Sequence, residues 1–230
     1  MKNKGLWLAL GLGIGAAGSY YLLKTRHKVR TQCPPFRKRV YSDSREMIEA
    51  FGDLWHRPED IRSLRENGAI GHPLVDKIML AVAGANGSGS LKRAHMRYAM
   101  RHGLNQAEIE SLLRGEVEHA TVDEAPALFF ARHYVETGGH PDPDLVQRLV
   151  DTHGARTARD IITCIRLLTF AGLVGNTVDA LVSRILGRPS EDTTLSGELG
   201  VVTTFSLGVL PLLLVLGVRS ALEPAAETGP

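Results

Sequence analysis

Apolar residues in the middle of the chain recur every three or four positions, which is the spacing of one face of an α-helix. Capping patterns stand in front of four of these runs: Asp43-x-x-Glu46, Asn105-x-x-Glu108, Thr121-x-x-Glu124 and Thr157-x-x-Asp160. Glycines follow several of the runs, as they do at helix ends, and Gly154 is predicted to end a short helix that precedes a long one. Because no run alternates with period two between turn residues, the pattern predicts an all-α domain over residues 42–190.

The first apolar stretch, residues 5–23, has no charged side chain and is long enough to cross a membrane as a helix. It is flanked by Lys4 and Lys24, and a basic segment over residues 25–41 follows it. A cleaved signal peptide is the alternative. Positive charge directly after an apolar run hinders translocation, so we expect an uncleaved anchor over residues 1–24 with the following domain in the cytoplasm, at a bacterial inner membrane.

A second apolar stretch predicts another transmembrane helix over residues 199–219. It follows a polar linker at residues 191–198 and contains Pro211, which a membrane helix tolerates. The tail at residues 220–230 has no lysine or arginine, so both termini would lie outside, which agrees with the orientation of the first anchor. The alternative is a C-terminal helix packed in a groove or at a partner interface.

The amino-acid composition limits the classes of binding partner. The chain has 230 residues with 27 Lys+Arg against 25 Asp+Glu, so net charge indicates no affinity for nucleic acid. Membrane lipid is the partner that the apolar stretches imply. The two cysteines, Cys33 and Cys164, are too far apart in sequence to form a disulfide scaffold, and a reducing compartment is the simpler interpretation.

A helical hairpin over residues 74–103 carries the candidate chemistry. Asp76 is followed, after eleven residues, by Ser88, then Leu91 and then His95. This order resembles the AhpD/carboxymuconolactone decarboxylase superfamily, whose thiol members have Glu, eleven residues and Cys-x-x-Cys-x-x-x-His. The resemblance covers roughly residues 74–187. Asp76 replaces the glutamate, Ser88 and Leu91 replace the cysteines, and the histidine is retained.

The resemblance implies an AhpD-like helical domain flanked by the two membrane helices, and a homo-oligomer of three or more copies. It also argues against thiol peroxidase activity, which needs two adjacent reactive thiols. Non-thiol members transfer protons without a cofactor or metal, and a carboxylate and an imidazole suffice for such chemistry. On this basis Asp76, His95 and Ser88 are the predicted catalytic residues, with Ser90, Arg93 and Arg97 as predicted contacts of a small-molecule substrate.

Each of these residues also has a structural interpretation. His95 would be a half-buried histidine bonded to a backbone carbonyl, Asp76 an exposed carboxylate paired with Lys77, and Ser88 a helix cap. Arg93 and Arg97 belong to a basic stripe that either binds an anion or faces solvent opposite acidic side chains. His95 and His102 lie two turns apart on one face, but no third metal ligand is evident nearby.

Two functions remain open at this stage. The first is a membrane-anchored enzyme that performs cofactor-free acid/base chemistry, of the decarboxylase or isomerase type, on a small substrate. The second is a non-catalytic module that lost its chemistry with the cysteines and serves oligomeric assembly at the membrane. They differ in whether Asp76 and His95 face a common cavity or separate surfaces.

Overall fold

The computed structural model describes residues 38–67, 70–87 and 89–214, with the side chains of residues 65–67 and 89–91 left aside. Within those ranges the chain is helical and has no β-strand. The helices are α1 (Ser44–Trp55), α2 (Pro58–Asn67), α3 (His72–Ala85), α4 (Gly89–Arg101), α5 (Gln106–Arg114), α6 (Ala125–Glu136), α7 (Pro143–Ile185) and α8 (Leu195–Thr204), which continues into a π-helical turn (Phe205–Val209). The predicted all-α class is confirmed.

The predicted caps form at Asp43 and Asn105, whereas Thr157 lies within α7. The Asp43 side chain accepts hydrogen bonds from the backbone N–H groups of Arg45 and Glu46, and Asn105 accepts one from Glu108. Helix α7 is interrupted at Gly154, whose φ of 78° and ψ of 155° are not helical, as expected for a short helix followed by a long one. The helix that was predicted to open at Thr121 begins only at Ala125, as α6. Thr121 and Glu124 instead form reciprocal hydrogen bonds around the turn that precedes it.

Helix α3 lies at the centre of the main core. Ile78 and Leu80 of this helix are fully buried among α4, α5, α6 and the long helix α7. Helices α3 and α5 approach so closely that any side chain at Gly84 would overlap the backbone carbonyl of Leu113. Because α3 is enclosed on all these sides, any polar residue on it must find a partner inside the protein.

A second, smaller core joins α8 to the rest of the domain. Val201, Phe205 and Val209 are buried against Met47 of α1 and Phe170 of α7. The helix begins at Leu195, four residues before the predicted start at residue 199. One of its faces packs on the domain.

A buried ion pair fixes the start of α8. Glu198 is fully buried, and its two carboxylate oxygens accept hydrogen bonds from Nε and Nη2 of Arg184 at 2.8 and 2.9 Å. Thr193 donates its hydroxyl to the same carboxylate, and Arg184 also donates to the Thr193 carbonyl at 2.6 Å. Every partner that the buried carboxylate needs is thus supplied by α7 and the connecting segment.

Two described helices are long and apolar enough to cross a membrane, Pro143–Ile185 and Leu195–Leu214. The first is mostly buried and forms the core of the domain. The second packs one face and leaves the other open, with Leu199, Leu207 and Leu214 at 46, 77 and 54% exposure. The predicted N-terminal anchor at residues 1–24 lies outside the described residues.

Candidate functional site

Asp76 and His102 form a carboxylate–imidazole pair between α3 and the end of α4. The Nδ1 atom of His102 lies 2.6 Å from Oδ2 of Asp76. The Asp76 side chain is 2% exposed, whereas that of His102 is 35% exposed. The carboxylate is therefore inside the protein and the imidazole reaches from it to the surface; we call this pair the Asp76–His102 dyad.

Two further rings surround the dyad. Tyr98 lies one turn before His102 on α4, and its ring meets the imidazole edge-on with centroids 4.2 Å apart. His72, at the start of α3, lies on another side with its centroid 6.3 Å from that of His102. Burial and the negative charge of Asp76 raise the pKa of the Tyr98 phenol, so it remains protonated and can donate a hydrogen bond near the imidazole.

Burial and the neighbouring histidines shift the pKa of Asp76 in opposite directions. Burial raises the pKa of its carboxyl group above the ordinary value, and the hydrogen bond and charge of His102, with the charge of His72, oppose this shift. The structural interpretation of Asp76 as an exposed carboxylate paired with Lys77 is wrong. Lys77 instead contacts Glu124 at 2.8 Å and Glu108 at 3.1 Å.

His95 lies in the middle of α4. Seven residues separate it from His102, about 10 Å along the helix axis. Within the described part of the chain it makes no hydrogen bond or ion pair, and burial alone lowers its pKa to about 4. The imidazole is consequently neutral near pH 7 and a weaker base than an ordinary histidine. The structure brings Asp76 to His102, and a catalytic role for His95 stays a prediction.

The position of Asp76 follows from the register of the hairpin. A short connection containing Gly87, with φ 68°, joins α3 to α4, so the two helices run antiparallel. Asp76 stands eleven residues before Gly87 and Tyr98 eleven after it, while His95 corresponds to Met79. Reflecting the sequence about this glycine places Tyr98 opposite Asp76 and His102 opposite His72, so it is a signal for this end of the hairpin rather than for the Asp76–His102 hydrogen bond itself.

We expect His95 to make stability depend on pH. Because its folded pKa of about 4 lies below the ordinary 6.5, the unfolded chain binds more protons between those values, and stability falls as pH falls through this window. The loss approaches about 3 kcal/mol, at about 1.4 kcal/mol for each pKa unit. Urea unfolding of the full chain above pH 6.5 and near pH 4 should show this loss in wild type and not in His95→Gln; equal losses would contradict it.

The remaining predicted site residues are more dispersed. Ser88 lies outside the described residues, as do the side chains of Ser90 and Leu91. Arg93 and Arg97 are exposed on α4, where Nε of Arg97 donates to the Arg93 carbonyl at 3.3 Å. Two of the four acidic residues proposed to face this stripe, Glu108, Glu110, Glu116 and Glu118, are ion-paired elsewhere: Glu108 contacts Lys77 and Glu116 contacts Arg114.

No protein-family model, curated protein or solved structure matches the chain. The resemblance to the AhpD/carboxymuconolactone decarboxylase superfamily therefore stays a prediction from the sequence. The class that the fold and site define is an all-α protein with a buried carboxylate bonded to a partly exposed histidine.

Proposed function

We propose that this protein is an acid/base enzyme whose reactive group is His102, oriented by Asp76. The observation that carries the proposal is the hydrogen bond of 2.6 Å between a carboxylate that is 2% exposed and an imidazole that is 35% exposed. A buried acid that holds one nitrogen of a histidine, while the other nitrogen remains accessible, is the arrangement a general base requires.

The dyad determines which nitrogen reacts. An ionised Asp76 carboxylate can only accept, so Nδ1 of His102 carries the proton and donates it to Oδ2. Nε2 then has a free lone pair and can take a proton from a substrate carbon or oxygen. As the imidazolium forms, the adjacent carboxylate stabilises its charge, and the nearby Tyr98 hydroxyl is a candidate donor to the developing oxyanion.

The substrate class that fits is a small carbon acid with a negative charge. On α4 the exposed residues Arg93, Arg97 and Arg101 recur every four positions beside the face that holds His102. Guanidinium groups bind carboxylates well, and the predicted substrate contacts Arg93 and Arg97 belong to this stripe. Neither proton abstraction next to a carbonyl, as in lactone isomerisation, nor protonation of the enolate that remains after a β-keto acid loses CO₂ needs a metal or cofactor.

The membrane location is part of the same proposal. Residues 1–24 would anchor the domain at the inner membrane with its middle part in the cytoplasm, as the flanking positive charge favours. In the predicted span at residues 199–219, Val201, Phe205 and Val209 pack on that domain, so this helix would contact lipid with its open face. The exposed leucines of the Leu195–Leu214 helix support contact with lipid, since a surface stripe of this kind is unusual on a soluble monomer. Assembly into trimers or larger rings is proposed from the family resemblance.

Proton exchange tests the function without knowledge of the natural substrate. The full chain in neutral detergent is incubated in D₂O with a panel of γ-lactones and β-keto acids, and proton NMR follows loss of the signal next to the carbonyl. Wild type is expected to accelerate exchange in at least one compound. His102→Gln, which keeps a polar side chain but no base, is expected to lower that rate by about 10²–10⁴.

His119→Gln is the matched control, since His119 is an exposed histidine outside the site. It should exchange at the wild-type rate. His95→Gln separates the two histidines: the geometry favours retention of activity, whereas the sequence pattern predicts loss. If His102→Gln retains full activity, His102 is not the base and the proposal is wrong.

The second candidate is a non-catalytic assembly module, and exposed apolar side chains favour it. Phe129 on α6 is 52% exposed, Met100 on α4 is also 52% exposed, and Val122 is 89% exposed. Large apolar groups at the surface indicate an interface when they cluster. This function predicts a stable oligomer by light scattering together with no exchange for any compound of the panel.

A further inference from the structure

A cavity of about 180 Å³ lies between the start of α2 and the middle of α7, apart from the dyad. Arg57 and Asp60 line it from the start of α2, and Arg159 and Arg166 line it from α7. The volume corresponds to about six water molecules at roughly 30 Å³ each, enough for a small organic molecule. We call it the α2–α7 cavity.

The charges that line the α2–α7 cavity do not balance. Three guanidinium groups face one carboxylate, and the one ion pair among them is loose: Nε of Arg159 lies 3.8 Å from Oδ1 of Asp60, beyond hydrogen-bond distance. Arg57 and Arg166 make no side-chain hydrogen bond or ion pair with another described residue. Arg166 is half-buried, and a half-buried guanidinium with open donors favours an anion beside it.

Apart from Thr163, the rest of the lining is apolar. Val150 and Ile162 contribute aliphatic surface, and Val150 and Ala155 flank the interruption of α7 at Gly154. The hydroxyl of Thr163 donates to the Arg159 carbonyl at 2.9 Å, so its proton is already used. Pockets that bind small molecules combine such aliphatic walls with a few polar groups that fix orientation.

We propose that the α2–α7 cavity binds an oxyanion head, carboxylate or phosphate, carried on a short apolar stem. The three arginines hold the head with charge-assisted hydrogen bonds, and Val150 and Ile162 contact the stem. Such a head can belong to a free organic acid or phosphate ester, or to an anionic lipid. This site is independent of the dyad and of the acid/base function.

Calorimetry on the full chain in neutral detergent tests the site with hexanoate and butyl phosphate as anionic probes and hexanol as the uncharged one. At least one anion is expected to bind and hexanol is not. Arg166→Gln and Arg57→Gln should each weaken binding about tenfold to a hundredfold, the effect of losing a hydrogen bond to a charged group. Asp60→Asn removes the opposing carboxylate and should strengthen binding, which a purely structural role would not produce.

Arg156→Gln is the matched control, an exposed arginine of the same helix that does not line the cavity. Its binding should equal that of wild type. Binding of neither anion, or equal loss in Arg156→Gln and Arg57→Gln, would overturn the proposal. Vesicles of phosphatidylcholine with phosphatidic acid then identify the natural source of the anion. Displacement of the bound probe by the vesicles supports a lipid head group, and no displacement supports a free anion.

Discussion

Replacing Asp76 with asparagine is expected to slow His102-dependent proton exchange by about 10²–10⁴, while the protein stays folded. Asparagine has nearly the same shape but no charge, so it neither selects the reactive tautomer of His102 nor stabilises the imidazolium. The readout is the D₂O exchange rate by proton NMR for any compound that wild type processes. The effect is large because the carboxylate, 2% exposed, acts where water screens little.

Asp53→Asn is the control, because Asp53 is an exposed aspartate in the last turn of α1. It should leave the exchange rate unchanged. Equilibrium unfolding of Asp76→Asn should show no loss of stability caused by the charge itself, since burial opposes ionisation of Asp76. A rate equal to wild type in folded Asp76→Asn would mean that the dyad is structural.

Arg184→Met is expected to lower the free energy of unfolding by about 3–5 kcal/mol, the usual cost of leaving a buried charge without its partner. Glu198 is fully buried and receives two hydrogen bonds from Arg184, at 2.8 and 2.9 Å. Methionine preserves much of the aliphatic volume and removes both donors. Urea unfolding of the full chain, followed by far-UV circular dichroism, measures the loss.

The double variant Arg184→Met/Glu198→Gln separates charge from packing. It removes the unpaired carboxylate while keeping an acceptor for Thr193, and it should recover a substantial part of the lost stability. Arg156→Met, exposed on the same helix, should change stability by about 0.5 kcal/mol or less. If the single variant is as stable as wild type, the ion pair does not fix α8.

The site shows why a family pattern and a packed structure emphasise different residues. The pattern paired Asp76 with His95 because a linear motif records spacing along one chain. Helices α3 and α4 run antiparallel, however, so the connecting turn brings Tyr98 opposite Asp76, and His102, one helical turn further on, makes the hydrogen bond. Lys77, Glu108 and Glu124 form a buried ionic cluster that no local pattern predicts, because its members come from three separate segments.

The chain's local chemistry was sufficient to predict the helices, their caps at Asp43 and Asn105, and the interruption at Gly154, because these depend on neighbours within a few residues. Partners distant in sequence were decided by packing. The Asp76–His102 hydrogen bond, the Arg184–Glu198 pair and the three arginines of the α2–α7 cavity each join separate elements. Periodicity shows which face of a helix is buried, but the free energy of burying a polar group depends on what another helix places opposite it.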